Sequence, residues 1–173
     1  MVGAFAALLL GVGVGVPAAD LAATELPQIF EAACLDGQAK LSPGTAAPVS
    51  FDALPHELQQ SLGKPASGQV WRLNGPGRAF LYLLTYEPNP NTNPRICGLA
   101  SDAMNFGAAA DAVELRVTGE VHPRDTRSIE WLSLEGGYNA LATTTGEFKV
   151  LQVNWLSDQQ RAAATRALQP IVP

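Results

Sequence analysis

Residues 78–86 (RAFLYLLTY) form the run that most restricts how this chain can fold. Apolar side chains occupy consecutive positions, so a strand built from them would be apolar on both faces. Such a strand is stable when both faces are covered, which places it inside a sheet. The residues just before it (NGPG, 74–77) are typical of a tight turn. We therefore predict a hairpin in which residues 69–73 pair with this central strand.

The rest of the chain alternates between two hydrophobic periods, one typical of helices and one typical of strands. The spacing predicts helices over 24–37, 51–63, 102–112 and 157–168, and further strands over 95–100, 113–118, 129–134, 138–144 and 147–156. This order predicts an α+β fold with a single antiparallel sheet of about six or seven strands and helices packed mainly on one face. The pattern also repeats weakly, since a strand leading into Ser-Asp and an Ala-rich helix occurs twice, at Ser101 and at Ser157.

The N-terminal residues have the pattern of an export signal. Residues 1–16 are apolar and carry no charged side chain, and a proline and two alanines follow at 17–19. We predict a signal peptide over 1–18, with an alternative cut after 23, and a single α+β domain over 24–173. No Lys or Arg precedes the apolar run, so an uncut N-terminal segment is the alternative.

Two cysteines fit an oxidising compartment, in which a small exported domain is often held by a disulfide. Cys34 lies on the apolar stripe of the first predicted helix, and Cys97 lies in a short strand-like run. We predict a bond between them, with Cys97 and Leu99 facing the helix and Ala100 facing away, because strand side chains alternate. Neither cysteine belongs to a CxxC pair, so the sequence predicts no metal site.

The charge balance argues against nucleic acid as a partner. The chain has 11 Lys and Arg against 16 Asp and Glu, a net charge of -5. Binding to a phosphate backbone requires clustered cations that replace its counterions. The apolar N-terminal run and the two cysteines predict a location in the periplasm or at the exterior of a bacterial envelope, with membrane contact only if the N-terminal segment is retained.

Motifs of known chemistry are missing from the sequence, which has no nucleophile elbow, phosphate-binding loop or zinc-protease motif. Two histidines are present. His122 precedes Asp125 in a predicted turn, and His56 lies near the start of the second predicted helix. A catalytic triad is defined by geometry rather than by sequence order, so these three residues are the weak catalytic candidates. We expect no cofactor.

Two features are better suited to binding than to catalysis. Trp71 lies on a predicted strand and could belong to an exposed aromatic platform, whereas Trp131 and Trp155 are predicted to be buried. The loop over 87–95 is rich in Asn and Pro, a composition suited to presenting a contact surface. Its candidate binding residues are Asn89, Asn91, Asn93 and Arg95.

These observations lead to three functional hypotheses. The first is an exported, non-catalytic envelope protein, either an accessory protein or a domain that binds a ligand or another envelope protein, including an inhibitor-like one. The second is a small periplasmic hydrolase that uses His122 or His56. The third is a structural subunit of an envelope complex that docks to the membrane through an uncut N-terminal segment.

Overall fold

A computed structural model gives the structure, and it describes residues 22–36, 44–89, 93–117, 119–121 and 127–167. The predicted signal peptide and its first cut site lie outside these residues. A 3₁₀ turn, a helical turn α1 and a π-helical turn follow one another without a break, and together they form the N-terminal segment: Ala23–Glu25, Leu26–Phe30 and Glu31–Leu35. A second 3₁₀ turn, Phe51–Ala53, precedes three further helices: α2 (His56–Leu62), α3 (Phe106–Glu114) and α4 (Asp158–Ala167).

Eight strands form one antiparallel sheet in the order β1-β2-β3-β4-β8-β7-β6-β5. Seven of them have four or more residues, and β5 has two. Their bounds are β1 Ala46–Val49, β2 Ser67–Leu73, β3 Ala79–Thr85, β4 Arg95–Ser101, β5 Glu120–Val121, β6 Ser128–Ser133, β7 Tyr138–Thr145 and β8 Phe148–Trp155. The predicted α+β fold with a single antiparallel sheet is confirmed.

Both faces of the sheet carry helices. The N-terminal segment and α3 cover one face, which we call the first face, through residues such as Phe30 and Val113. Helix α2 covers part of the opposite, second face through Leu58 and Leu62. Strand β3 therefore lies inside the sheet with apolar material on both sides, as its sequence predicts. Helix α4 buries none of its described side chains.

The N-terminal segment lies directly over β4. Cys34 and Cys97 are at disulfide distance, with Sγ atoms 1.96 Å apart and Cα atoms 5.4 Å apart. Cys97 and Leu99 pack in the core of the first face, and Ala100 packs in the core of the second. The predicted pairing and the predicted orientation of the strand therefore agree with the structure.

The prediction of a strand over 113–118 was wrong. Helix α3 extends to Glu114, and its start is capped by Asn105, whose side-chain oxygen accepts a hydrogen bond from the backbone of Ala108 at 3.0 Å. Val113 and Val117 are both buried, and their separation of four residues is also a helical spacing. An alternating strand would bury Leu115 on the same face as Val113 and Val117, but Leu115 is 88% exposed. Over so few residues the two periods cannot be distinguished.

Two further predictions need correction. The helix predicted over 51–63 is interrupted, because Pro55 disfavours helical geometry at Leu54, which has an extended backbone (φ -67, ψ 146). Trp131 is buried as predicted, at 1% exposure, and it lies opposite the small side chain of Ala140. Trp155 was also expected to be buried, but it is half-buried because it ends β8 at the margin of the core.

Candidate ligand-binding site

A cleft opens on the second face of the sheet, between α2 and strands β6, β7 and β8. Among the described residues, α2 is the helix on this face, and its edge forms one wall while the sheet forms the floor. The cavity has a volume of about 200 Å³. We call it the α2 cleft, and its lining residues are Leu58, Ser61, Leu62, Tyr82, Ser128, Leu141, Thr143, Thr145, Val150 and Gln152.

Several contacts hold the α2 wall in place. Leu58 and Leu62 are four residues apart on α2, so they lie on one side of the helix, and Leu54 just before the helix is buried in the same cluster. The helix ends at Gly63, which has a positive φ of 70°. The Tyr86 hydroxyl then donates a hydrogen bond to the carbonyl of Leu62 at 2.7 Å. This bond satisfies a carbonyl of the last turn and ties the helix to the end of β3.

The floor of the cleft depends on the close approach of Tyr82 to Gly98. These two residues are paired across β3 and β4. A Cβ atom at Gly98 would collide with the ring and the hydroxyl of Tyr82. Because Gly98 has no side chain, the Tyr82 ring lies across β4 and reaches β8. There its hydroxyl donates to Gln152 Oε1 at 2.8 Å.

This contact begins a row of hydrogen bonds, which we call the amide chain. Gln152 Nε2 donates to Asn154 Oδ1 at 2.6 Å, and Asn154 Nδ2 donates to Asn139 Oδ1 at 2.9 Å. The side-chain amide of Asn139 then donates to the carboxylate of Glu130. Each amide accepts at its oxygen and donates from its nitrogen, so every orientation along the row is fixed by its neighbours.

The α2 cleft offers hydrogen bonds but no charge. The hydroxyls come from Ser61, Ser128, Thr143 and Thr145, and Gln152 supplies an amide. One of the two Nε2 hydrogens of Gln152 is bound to Asn154, which leaves the other for a ligand. Burial raises the pKa of Tyr82 well above its usual range, so its hydroxyl stays protonated. This chemistry is suited to an uncharged molecule with hydrogen-bonding groups.

His56, a sequence-predicted catalytic candidate, lies at a different cavity. This cavity has a volume of about 520 Å³ and lies on the outer side of α2. Its lining includes Asp52 and Lys64 with His56, but no hydroxyl or thiol side chain. His56 is exposed to solvent. His122 and Asp125 lie outside the described residues, so the structure does not bring the three candidates together.

The predicted binding residues are spread along the first face and its end. Trp71 is half-buried on β2 and lies opposite Leu81, which lies opposite Leu99 of β4. Arg95 precedes Leu99 by four residues, so it lies at another level of the sheet. Asn89 and Asn93 are the described residues on either side of 90–92, and Asn91 lies outside the described residues. Trp71 and Arg95 are therefore not neighbours.

Sequence reasoning missed the residues of the α2 cleft. Gln152 and Asn154 alternate with buried apolar residues along β8, and Asn139 and Thr143 do the same along β7. That alternation indicates a polar strand face, but the sequence does not show that α2 covers one side of it. Gly98 carried a second signal, because a glycine inside an apolar strand often marks a close approach of another group.

Comparison with known proteins finds no match for this chain among protein-family models, curated proteins or solved structures. Within the described ranges, no group of three or more His, Cys, Asp or Glu side chains could hold a metal ion. In the same part of the chain, no helix is long and apolar enough to cross a membrane.

Proposed function

We propose that this protein is an exported, non-catalytic binding domain of a bacterial envelope, and that its α2 cleft holds a small uncharged ligand. The observation that carries this proposal is the lining of the cleft, which combines four hydroxyls and an oriented amide with no charged side chain. At a volume of about 30 Å³ per water, the cavity holds about seven water molecules. The ligand is therefore the size of a small polyol, a small amide or one polar side chain.

The same lining favours binding over catalysis at this place. Activation of a serine or threonine nucleophile requires a neighbouring base, usually a histidine, a lysine or a carboxylate. None of the residues that line the α2 cleft belongs to these types. The amide chain ends in Glu130, but this carboxylate is separated from the cleft by Asn139 and Asn154.

Export is supported by two independent features of the chain. The apolar residues 1–16 precede a short run of small residues, which is the pattern that a signal peptidase reads. Cys34 and Cys97 are at disulfide distance, and such bonds persist in oxidising compartments. A cut after residue 18 would also retain Ala22, whose backbone N–H donates to the Glu25 carboxylate at 2.6 Å and caps the first turn.

The binding experiment is a fragment screen by nuclear magnetic resonance. Neutral polyols, sugars and amides, each matched with a charged analogue, are titrated into labelled protein. We expect the neutral fragments to shift the amide signals of Gln152, Thr143 and Thr145, and the charged analogues to bind at least about tenfold more weakly, because a buried charge lacks a partner there. Equal binding of charged and neutral fragments, or shifts confined to the cavity beside His56, would refute the proposal.

A matched pair of variants assigns the binding to the cleft. Ser61→Trp places a large ring into the cleft and should abolish the shifts. Gln60→Trp places the same ring on the next residue of α2, where it faces the larger cavity, and should leave them unchanged. Circular dichroism and thermal melting establish that both variants are folded.

Processing is tested with the whole chain produced in a Gram-negative host. We expect periplasmic protein that begins at Ala19 by intact mass, with Thr24 as the alternative start. A chain that retains residues 1–16 in the membrane fraction would contradict export and support the membrane-docked subunit.

A further inference from the structure

Three side chains of the types that dominate binding hot spots lie in one row on the first face. Arg95 of β4 lies opposite Trp155 of β8, and Trp155 lies opposite Tyr138 of β7. Residues directly opposite each other on neighbouring strands point to the same face. At a strand spacing of about 4.8 Å, the row is about 10 Å wide. We call these three residues the Arg95 row.

The guanidinium of Arg95 is held in place but its N–H groups are not used within the described part of the chain. Its central carbon lies 4.3 Å above the ring of Trp155, which is a cation–π contact. None of the ion pairs and side-chain hydrogen bonds found among the described residues involves the Arg95 guanidinium. By contrast, Arg78 pairs with Asp102 and Arg116 pairs with Glu31.

Both aromatic rings of the row are partly open to solvent. Trp155 and Tyr138 are half-buried, whereas Trp131 of the same face is 1% exposed. An indole that supports a cation on one side and remains partly exposed offers apolar surface directly beside a positive charge. Trp, Tyr and Arg are the residues most enriched at the energetic centres of protein interfaces.

We propose that the Arg95 row is a docking surface for a partner protein, and that it binds a segment with one carboxylate next to an apolar side chain. The carboxylate accepts two parallel hydrogen bonds from the edge of the Arg95 guanidinium, a geometry that Lys cannot provide. The apolar side chain packs on Trp155 and Tyr138. Stacking on the indole orients the guanidinium before the partner arrives, which reduces the entropy lost on binding.

Charge distinguishes a carboxylate from a phosphorylated partner. The protein has a net charge of -5, so long-range attraction does not draw polyanions to it. Recognition of a phosphate group typically uses a cluster of arginines, whereas the row contains one. A single oriented guanidinium matches a single carboxylate.

The experiment uses the disulfide-bonded protein and two immobilised heptapeptide libraries with random flanking residues, one with a central Glu and one with a central Gln. We expect the Glu library to bind at least about tenfold more tightly, with apolar residues enriched beside the Glu. Arg95→Gln should remove this preference, and Arg95→Lys should restore only a small part of it. The matched control is Arg72→Gln, which removes an exposed arginine of β2 on the second face of the sheet. It should leave the preference intact.

Equal binding of the two libraries, no binding of either, or an equal loss in Arg72→Gln would overturn the docking surface. Tighter binding of phosphopeptides than of Glu peptides would overturn the carboxylate assignment. The α2 cleft lies on the opposite face of the sheet, so Ser61→Trp should not change peptide binding. The two proposals can therefore fail separately.

Discussion

Gly98 is the residue at which one methyl group would disturb both the sheet and the α2 cleft. Its lack of a side chain lets the Tyr82 ring cross β4 and hydrogen-bond to Gln152 on β8. The amide chain starts from this contact, so the orientation of every amide in the floor depends on it. A glycine inside an apolar strand could be noticed in the sequence, but the identity of the approaching group requires the register of β3 with β4.

The first prediction concerns this close approach. Gly98→Ala should lower the free energy of unfolding by about 1–3 kcal/mol, because the Tyr82 ring must move and the core is already full. Urea denaturation at neutral pH measures the change. Gly107→Ala in α3 is the control, since a Cβ at Gly107 would lie 3.6 Å from its nearest neighbour, Asn105 Oδ1, which is an ordinary van der Waals contact. It should leave stability unchanged or raise it by up to about 1 kcal/mol. Equal effects of the two substitutions would contradict the role of Gly98.

The second prediction concerns the hydroxyl that ties α2 to β3. Burial raises the pKa of Tyr86 to about 12 in the folded protein. An unfolded tyrosine loses its proton near pH 10, so between about pH 10 and 12 the unfolded state ionises while the folded state resists. Stability should therefore fall as the pH rises through this window, and buried Tyr82 contributes in the same direction.

Tyr86→Phe tests this assignment by urea denaturation at several pH values. The variant loses the bond to Leu62, so it should be less stable than the wild type by about 1 kcal/mol at pH 7. Its stability should then fall less steeply above pH 10. An unchanged slope would show that Tyr86 is not the group responsible.

At the scale of the element, local signals were sufficient where strand and turn lie next to each other in sequence. The hairpin of β2 and β3 was predicted because it contains its own turn. The strands predicted over 138–144 and 147–156 are likewise separated by a short turn, and they pair as β7 and β8. Helix α4 lies within the helix predicted over 157–168. It begins with a capping box, in which the Ser157 backbone donates to Gln160 Oε1 at 2.8 Å and the Gln160 backbone donates to Ser157 Oγ at 3.2 Å. Helix α3 was misjudged at both ends, because its capping residue, Asn105, was not recognised.

The third prediction contrasts the caps of α3 and α4. Asn105→Ala removes the cap of a helix that packs in the core, so it should lower the free energy of global unfolding by about 1 kcal/mol. Ser157→Ala removes the cap of a helix that buries none of its described side chains. It should speed amide hydrogen exchange within α4 while leaving the global unfolding transition unchanged, because α4 opens locally. A matching fall in global stability for both variants would contradict the independence of α4.

At the scale of the whole molecule, the strand order is symmetric about the β4–β8 pair. Each half is a run of four neighbouring antiparallel strands followed by a helix. The sequence carries a weak trace of this arrangement at Ser101 and Ser157. It did not predict that the two halves meet at β4 and β8, because these strands pair residues far apart in sequence, from Ser101 with Lys149 to Arg95 with Trp155. The α2 cleft could not be predicted for the same reason, since its wall comes from the first half of the chain and most of its floor from the second.

The last prediction concerns the bond that joins the N-terminal segment to this sheet. Cys34 and Cys97 are 63 residues apart and almost fully buried, at 2% and 3% exposure. On the chain-entropy account, a cross-link over a loop of this length restricts the unfolded state strongly. Arg116, which follows α3, also forms ion pairs with Glu31 of the segment and with the adjoining Asp36. The Arg116 side chain is half exposed, and such pairs contribute little.

Replacing both cysteines with Ala should therefore lower the free energy of unfolding by about 2–5 kcal/mol. Amide exchange should increase first in the N-terminal segment and only later around the α2 cleft, because the cleft lies on the opposite face. Reduced wild-type protein keeps both side chains and should show a similar loss, which separates the cross-link from packing. Thiol counting on denatured, unreduced periplasmic protein gives the direct measurement, and two free thiols per chain would refute both the bond and its role in holding this segment on the sheet.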